Sequence, residues 1–238
     1  MEKLLEIIHE DDALLVLNKP AGLVCHPTKT DEYSSLISRV RLYLGNSIQP
    51  HLINRLDRET SGVTVVSKSP DAARELRRLW ESREVAKEYL AIVHGHVDDD
   101  HGFIDAPLGK DERSRVAVKD CVRPDGLSSQ TEFSVVQRFE KNFSLLRVQP
   151  RTGRKHQIRI HLAHAGHPIV GDKLYGGDED LYLALVEDRL TPEQKQRLIF
   201  PHHALHAQRL RFNWRGPTEF SCEPEPWFRE FVAELPGR

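Results

Sequence analysis

Cysteine is scarce here: Cys25, Cys121 and Cys222 are the only three, and they are scattered. An odd, unclustered set argues against a disulfide framework and offers no zinc-ligand spacing. Long apolar runs are also missing, so no stretch would cross a bilayer as a helix. The first apolar patch, Leu4-Leu5-Glu6-Ile7-Ile8, turns acidic at Glu10-Asp11-Asp12, which is unlike a signal peptide. Nor does charge of one sign dominate: the net charge is -2 and the pI about 6.7. Any nucleic-acid surface must therefore come from local basic patches. There is no internal repeat and no low-complexity segment. These absences predict a soluble protein of a reducing compartment, the cytoplasm, with no membrane partner. What is present is ordinary for a globular chain, with 39% hydrophobic and 29% charged residues. At 238 residues, one large domain or two small ones could bury a core.

Asp57 stands out. It follows Arg55, precedes Arg58, and leads through Thr60-Ser61-Gly62 into the β-branched run Val63-Thr64-Val65-Val66. That reads as a polar loop feeding a buried strand, with the carboxylate at the strand's mouth. Catalytic groups tend to sit on such loops, and a neighbouring guanidinium keeps a carboxylate ionised where water is partly excluded. From these residues alone, a turn aspartate with an incidental ion pair is the plainer reading.

Around this loop, Leu14–Asn18 reads as a strand stopped by the turn Lys19-Pro20-Ala21-Gly22, with Lys19 expected in solvent. Ser69-Pro70-Asp71 opens a helix whose apolar stripe is Ala72, Ala73, Leu76, Leu79 and Trp80, with Arg74, Arg77 and Arg78 opposite. The stretch from Lys87 to Gly95 reads as a strand with Tyr89, Ala91 and Val93 on one face. His94, His96 and Asp98 then suggest either a metal-hydrolase pattern without its downstream ligands or, more simply, a hairpin turn toward Phe103-Ile104-Asp105. The basic stretch from Lys110 to Arg123 reads as a loop, mobile or facing RNA. Gln130–Val136 and Phe143–Val148 read as an antiparallel pair. Thr152 is expected to cap a helix running to Gly166, with Ile158, Leu162 and Ala165 on its apolar side. The Gly-containing turn at its start, dense in Arg and Lys, suits an anion. His161, His164 and His167 recur every third residue, but His167-Pro168 lies past the expected helix end. A helical insertion is predicted from Asp178 to Leu198, with a capping box at Thr191 and Gln194. Trp227, Phe228, Phe231 and Val232 suit a closing amphipathic helix.

Several of these stretches together resemble the RluA family of pseudouridine synthases. Arg55-Leu56-Asp57 with Thr60-Ser61-Gly62 matches its HRLDxxTSG motif, with Asn54 where the family usually has His. Leu17-Asn18-Lys19-Pro20-Ala21-Gly22 resembles the opening of such catalytic domains. Lys87-x-Tyr89-x-Ala91-x-Val93-x-Gly95 is similar to the second motif, and Thr152–His161 to the third, TGRxHQIRxH. Leu205-His206-Ala207 resembles the late LHA strand. The pattern runs from about Ile7 to Phe231. The resemblance implies one catalytic domain over residues 1–238, without the small N-terminal RNA-binding domain that many members carry. It implies an α+β fold with a mostly antiparallel mixed sheet flanked by helices and loops. The implied activity is isomerisation of uridine in structured RNA, a transfer RNA or ribosomal RNA stem-loop, without a cofactor or an obligatory protein partner. By the same match Asp57 is the catalytic carboxylate, as nucleophile or as base toward the 2′ position. Arg55 fills the space left by the flipped base, Tyr89 packs on that base, and Arg159 pairs with the aspartate. Two other readings are a non-catalytic RNA-binding relative, prompted by Asn54, and a metal-dependent hydrolase using His94, His96 and Asp98.

Overall fold

The computed structural model describes residues 4–27 and 34–237. In chain order the elements are β1 (Ile7–Glu10), β2 (Leu14–Lys19), α1 (Leu36–Leu44), β3 (His51–Leu52), β4 (Ser61–Ser67), α2 (Pro70–Glu81), β5 (Ala86–His94), β6 (His101–Asp105), β7 (Leu108–Lys110), β8 (Asp120–Val122), β9 (Gln130–Phe139), β10 (Phe143–Pro150), α3 (Gln157–His164), α4 (Asp180–Val186), α5 (Pro192–Leu198), β11 (Leu205–Asn213), β12 (Pro217–Ser221) and α6 (Pro226–Glu234). Two compact units result: the chain up to Glu88 with His206–Pro226, and Tyr89–Leu205 with the segment from Trp227 onward. Among the described residues, no helix is long and apolar enough to cross a membrane.

In the first unit the strands lie in the order β1-β2-β4-β11, with β3 also on β4 and β12 on β11. β4 and β11 run parallel, and the other pairs are antiparallel. Every residue of β2 and β4 is buried, because both faces of this sheet are covered. Leu14, Val16, Val63 and Val65 pack with Leu76 on one side. Leu15, Leu17 and Val66 pack with Leu36 and Val40 of α1 on the other. A strand buried on both faces reads as a continuous apolar run, which is how Leu14–Leu17 and Val63–Val66 appear in the sequence. α2 forms as its residues dictate: the Ser69 hydroxyl accepts the Ala72 N–H, and Ala72, Ala73 and Leu76 are buried.

The second unit is an antiparallel sheet in the order β5-β10-β9-β6. Its core joins Ile92, Val93, Leu146 and Val148 to Ile158 and Leu162 of α3 and to Phe228 of α6. Both unit folds are α+β with mostly antiparallel pairing, as the family resemblance implies, and α5 carries the expected capping box. Four local expectations are corrected. β5 and β6 are not a hairpin, since β10 and β9 lie between them and the 95–100 connection carries the chain across. The basic 110–123 stretch is no open loop: β7 and β8 pair, and Val116 is buried with Leu108, Ile160, Leu174 and Tyr175. The third-motif helix begins at Gln157, not after Thr152. Ala165 is exposed rather than on a buried stripe, because the helix ends at His164.

Gly62 marks a tight approach in the first unit. Its φ is +117°, and a Cβ there would lie 2.2 Å from the Ala207 carbonyl oxygen. Gly62→Ala therefore meets both a left-handed backbone and fixed main chain. It is expected to lower the unfolding free energy by at least about 2 kcal/mol, read from the midpoint of a urea transition.

Candidate active site

The Asp57 loop is pinned on both sides of the carboxylate. Before it, the Leu56 N–H donates to Cys25 Sγ at 3.4 Å, and the thiol donates back to the Leu56 carbonyl at 3.3 Å. After it, the Arg58 carbonyl accepts the Gly22 N–H at 2.9 Å and Lys19 Nζ at 3.1 Å. The Thr60 N–H closes the turn onto the Asp57 carbonyl at 3.2 Å. Backbone motion around Asp57 is thus restricted, while its side chain keeps partial access to solvent and Arg55 and Arg58 are exposed.

Lys19 is the organiser of this loop, and it is not in solvent as the sequence suggests. It is 0% exposed, one of the largest fully buried side chains among the described residues. Its ammonium also donates to the carbonyls of Pro20 and Leu23, both at 2.8 Å. The Pro-Ala-Gly turn wraps around the cation, which then reaches across to the residue following Asp57. Burial lowers its pKa to about 8, against the opposing pull of Cys25, Glu225 and Asp57. At neutral pH it remains an ammonium with three donors for three carbonyls. Asn54 also has a defined task. Its Oδ1 accepts the Val65 N–H at 2.8 Å and its Nδ2 donates to the Val63 carbonyl at 3.1 Å. The side-chain amide carries the β3–β4 ladder one step further, so the loop's entry is fixed without an imidazole.

Tyr89 and Arg159 belong to the second unit. Tyr89 lies on β5 opposite Val148, half-buried against the apolar core. Arg159 is buried on α3 and makes a two-pronged pair with Asp172, Nε to Oδ2 at 2.7 Å and Nη2 to Oδ1 at 2.9 Å. Asp172 Oδ1 also accepts the N–H groups of Leu174 and Tyr175. Burial works to raise this carboxyl, but Arg159 and the hydrogen bonds outweigh it and hold the group well below the usual range. The Arg159 guanidinium sits 5.0 Å from the centre of the Tyr175 ring. The Tyr175 hydroxyl in turn meets His156 Nδ1 at 2.9 Å and accepts the Asp120 N–H at 3.3 Å. Gln157 explains the late helix start. Its amide binds Thr152 Oγ1, the Arg154 N–H, the Gln130 carbonyl and Thr131 Oγ1. Thr152 is thereby engaged elsewhere and does not cap.

The profile of the family described as RNA pseudouridylate synthase matches residues 13–164. The chain is 38% identical to the dual-specificity RNA pseudouridine synthase RluA of Escherichia coli, over 88% of this chain and 87% of that enzyme. The chain belongs to the RluA family of RNA pseudouridine synthases. An uncharacterised RNA pseudouridine synthase of Bacillus subtilis, YlyB, is 36% identical over 97% of this chain and 71% of its own. Among solved structures, human RNA pseudouridylate synthase domain containing 1 superposes with a TM-score of 0.75 at 26% identity, covering 100% of this chain and 91% of that one.

As a pseudouridine synthase the chain forms pseudouridine in RNA, and the histidine clusters have other work. The His94 ring packs on Phe143, His96 Nε2 meets the Phe139 carbonyl at 2.7 Å, and Arg138 binds the carbonyls of Val97 and Asp98. His161 is buried between Thr131 Oγ1 and the Ala106 carbonyl, while His164 is exposed and His167 Nδ1 meets the His94 carbonyl. Among the described residues, no group of three or more His, Cys, Asp or Glu could hold a metal ion. Neither histidine set forms such a group among the described residues. Lys19 and Asp172 are what residue patterns missed. A lysine inside a Pro-Gly turn of a recurring motif was the available signal for the first, and nothing but the fold brings Asp172 to Arg159.

Asp172→Asn removes a buried carboxylate partner of a guanidinium that cannot deprotonate. A loss of about 3 kcal/mol in unfolding free energy is expected. The folded pKa of Asp172 lies below its unfolded value of about 3.9, so its contribution is present above that pH and is lost as pH falls beneath it. Urea midpoints of wild type and variant should accordingly differ at pH 6 and converge toward pH 2.

Proposed function

We propose that Asp57 is the catalytic carboxylate, and that Arg55, Tyr89 and Arg159 bind the substrate nucleotide. The observation that carries this reading is the Asp57 loop itself: a carboxylate with solvent access on a backbone fixed from Leu56 to Thr60. Pre-set geometry of this kind is what a reaction at one sugar carbon requires. In the isomerisation the bond from C1′ to uracil N1 breaks, the base turns, and a bond from C1′ to C5 forms. The C5 proton leaves and N1 gains one, so atoms and charge balance without an oxidant or a cofactor. Asp57 serves as nucleophile toward C1′ or as base toward the 2′ position.

A base inside a helix is out of reach of such a carboxylate, so the target uridine must leave its stack. Arg55, two residues before Asp57 and exposed, suits the vacated space. Tyr89 offers an apolar ring with a polar tip for stacking on the base. Arg159, its guanidinium already braced by Asp172 and the Tyr175 ring, suits the part of a fixed cation toward the substrate nucleotide. We infer that the substrate is a compact stem-loop of transfer or ribosomal RNA, met in the cytoplasm. The dual specificity named for the Escherichia coli relative supports action on more than one RNA.

Incubating unmodified total RNA of the source organism with wild type or Asp57→Asn, followed by pseudouridine mapping, tests the reading. Wild type should create at least one new pseudouridine that Asp57→Asn does not, with RNA binding by the variant retained. Pseudouridine made by the variant at the wild-type rate would exclude Asp57 from the chemistry.

A further inference from the structure

We propose that His206 is a positioning residue for the reaction: through the Ser61 hydroxyl, its imidazole fixes the point where the Asp57 loop joins β4. This rests on Asp57 as the reacting group. His206 is 0% and Ser61 3% exposed, so neither is placed to touch RNA. Ser61 Oγ lies 2.9 Å from His206 Nδ1, and His206 Nε2 lies 3.1 Å from the Cys222 carbonyl oxygen. A carbonyl only accepts, so Nε2 carries the proton. Nδ1 is then a bare acceptor, and the Ser61 hydroxyl donates to it.

The place of this bond gives it leverage. Ser61 is the first residue of β4 and follows Thr60, whose N–H closes the turn on Asp57. The parallel register of β4 on β11 comprises two pairs, His206 with Ser61 and Ala207 with Gly62. A parallel pairing this short is weak by itself, and the imidazole adds a third tie at its open end. The surroundings keep the ring neutral. Burial lowers its pKa to about 4, while the Cys222 carbonyl and the charge of Glu6 pull the other way. Asn18, hydrogen-bonded to Glu6, and the Cys222 thiol complete the polar lining. A protonated ring would present N–H at Nδ1 and reverse the Ser61 hydrogen bond. The environment preserves the one protonation state in which Ser61 is held as a donor.

Two near-isosteres of histidine divide its two bonds. In His206→Asn the side-chain oxygen stands near the place of Nδ1 and can accept from Ser61, but the Cys222 carbonyl loses its donor. In His206→Gln the amide nitrogen reaches the place of Nε2 and serves Cys222, but Ser61 loses its acceptor. Ser61→Ala removes the donor alone. With an RNA modified by wild type, we would measure single-turnover rate, KM and melting temperature for all three. Ser61→Ala and His206→Gln should react about tenfold slower or worse with KM within about twofold of wild type. His206→Asn should stay within about threefold in rate although it melts at lower temperature. Rates that follow melting temperature instead, or Ser61→Ala at the wild-type rate, would overturn the proposal. Asp57→Asn run alongside separates the two failures. If that variant is active, the reading of Asp57 is wrong; if it is silent while Ser61→Ala is unimpaired, only the role of His206 falls.

Discussion

The first unit depends on one buried ammonium. Taking a charge out of water costs several kcal/mol unless every donor finds an acceptor. Lys19 meets that demand with the carbonyls of Pro20, Leu23 and Arg58. Those three carbonyls face inward and have the ammonium as their common donor, so turn and loop take shape around it together. The Gly22 N–H adds to the same Arg58 carbonyl, and the Arg58 side chain returns a bond to the Gly22 carbonyl at 3.2 Å. Cys25, further along the same segment, holds Leu56. The residue before Asp57 and the residue after it are therefore both held by the segment from Lys19 to Cys25. A sheet buried on both faces supplies the dry surroundings in which such bonds are strong.

In the second unit, Arg159 solves the same problem by another route. A lysine can shed part of its burden through a lowered pKa, and Lys19 does so. A guanidinium has no such escape, which is why Arg159 carries a full carboxylate partner in fork geometry. Asp172 in turn is fixed by two backbone N–H groups, and Tyr175 ties the cation to the β7–β8 hairpin through Asp120. Lys19 and Arg159 differ in chemistry but share one rule: each is met by acceptors that the fold holds in place.

How much of this was legible in the sequence follows from how local each cause is. β2, β4 and α2 were readable because apolar runs, a serine cap and an N1 proline act within a few residues. The Asp57 loop stood out in the sequence through its match to the family motif, and its part in the chemistry is our proposal. The β7–β8 hairpin was not, since its anchors Leu108, Val116 and Val122 fall at no regular period and find their partners in α3 and beyond. Thr152 looked like a helix cap because the competing claim of Gln157 depends on β9 lying alongside. β5 and β6 looked like a hairpin because sheet order is set by distant strands. Lys19 looked solvated because lysine in a turn nearly always is. Only the assembled turn reveals three carbonyls aimed at one point.

Lys19 immobilises the backbone around Asp57, and amide hydrogen exchange reads that immobilisation residue by residue. Lys19→Met keeps most of the side chain's bulk and removes the ammonium. The Gly22 and Thr60 amides, which close on Arg58 and Asp57, should exchange about tenfold faster or more in the variant. The Val65 amide, held by Asn54, should remain within about twofold of wild type. Unchanged protection at Gly22 and Thr60 would contradict the claim and show that the loop holds its shape without the buried cation.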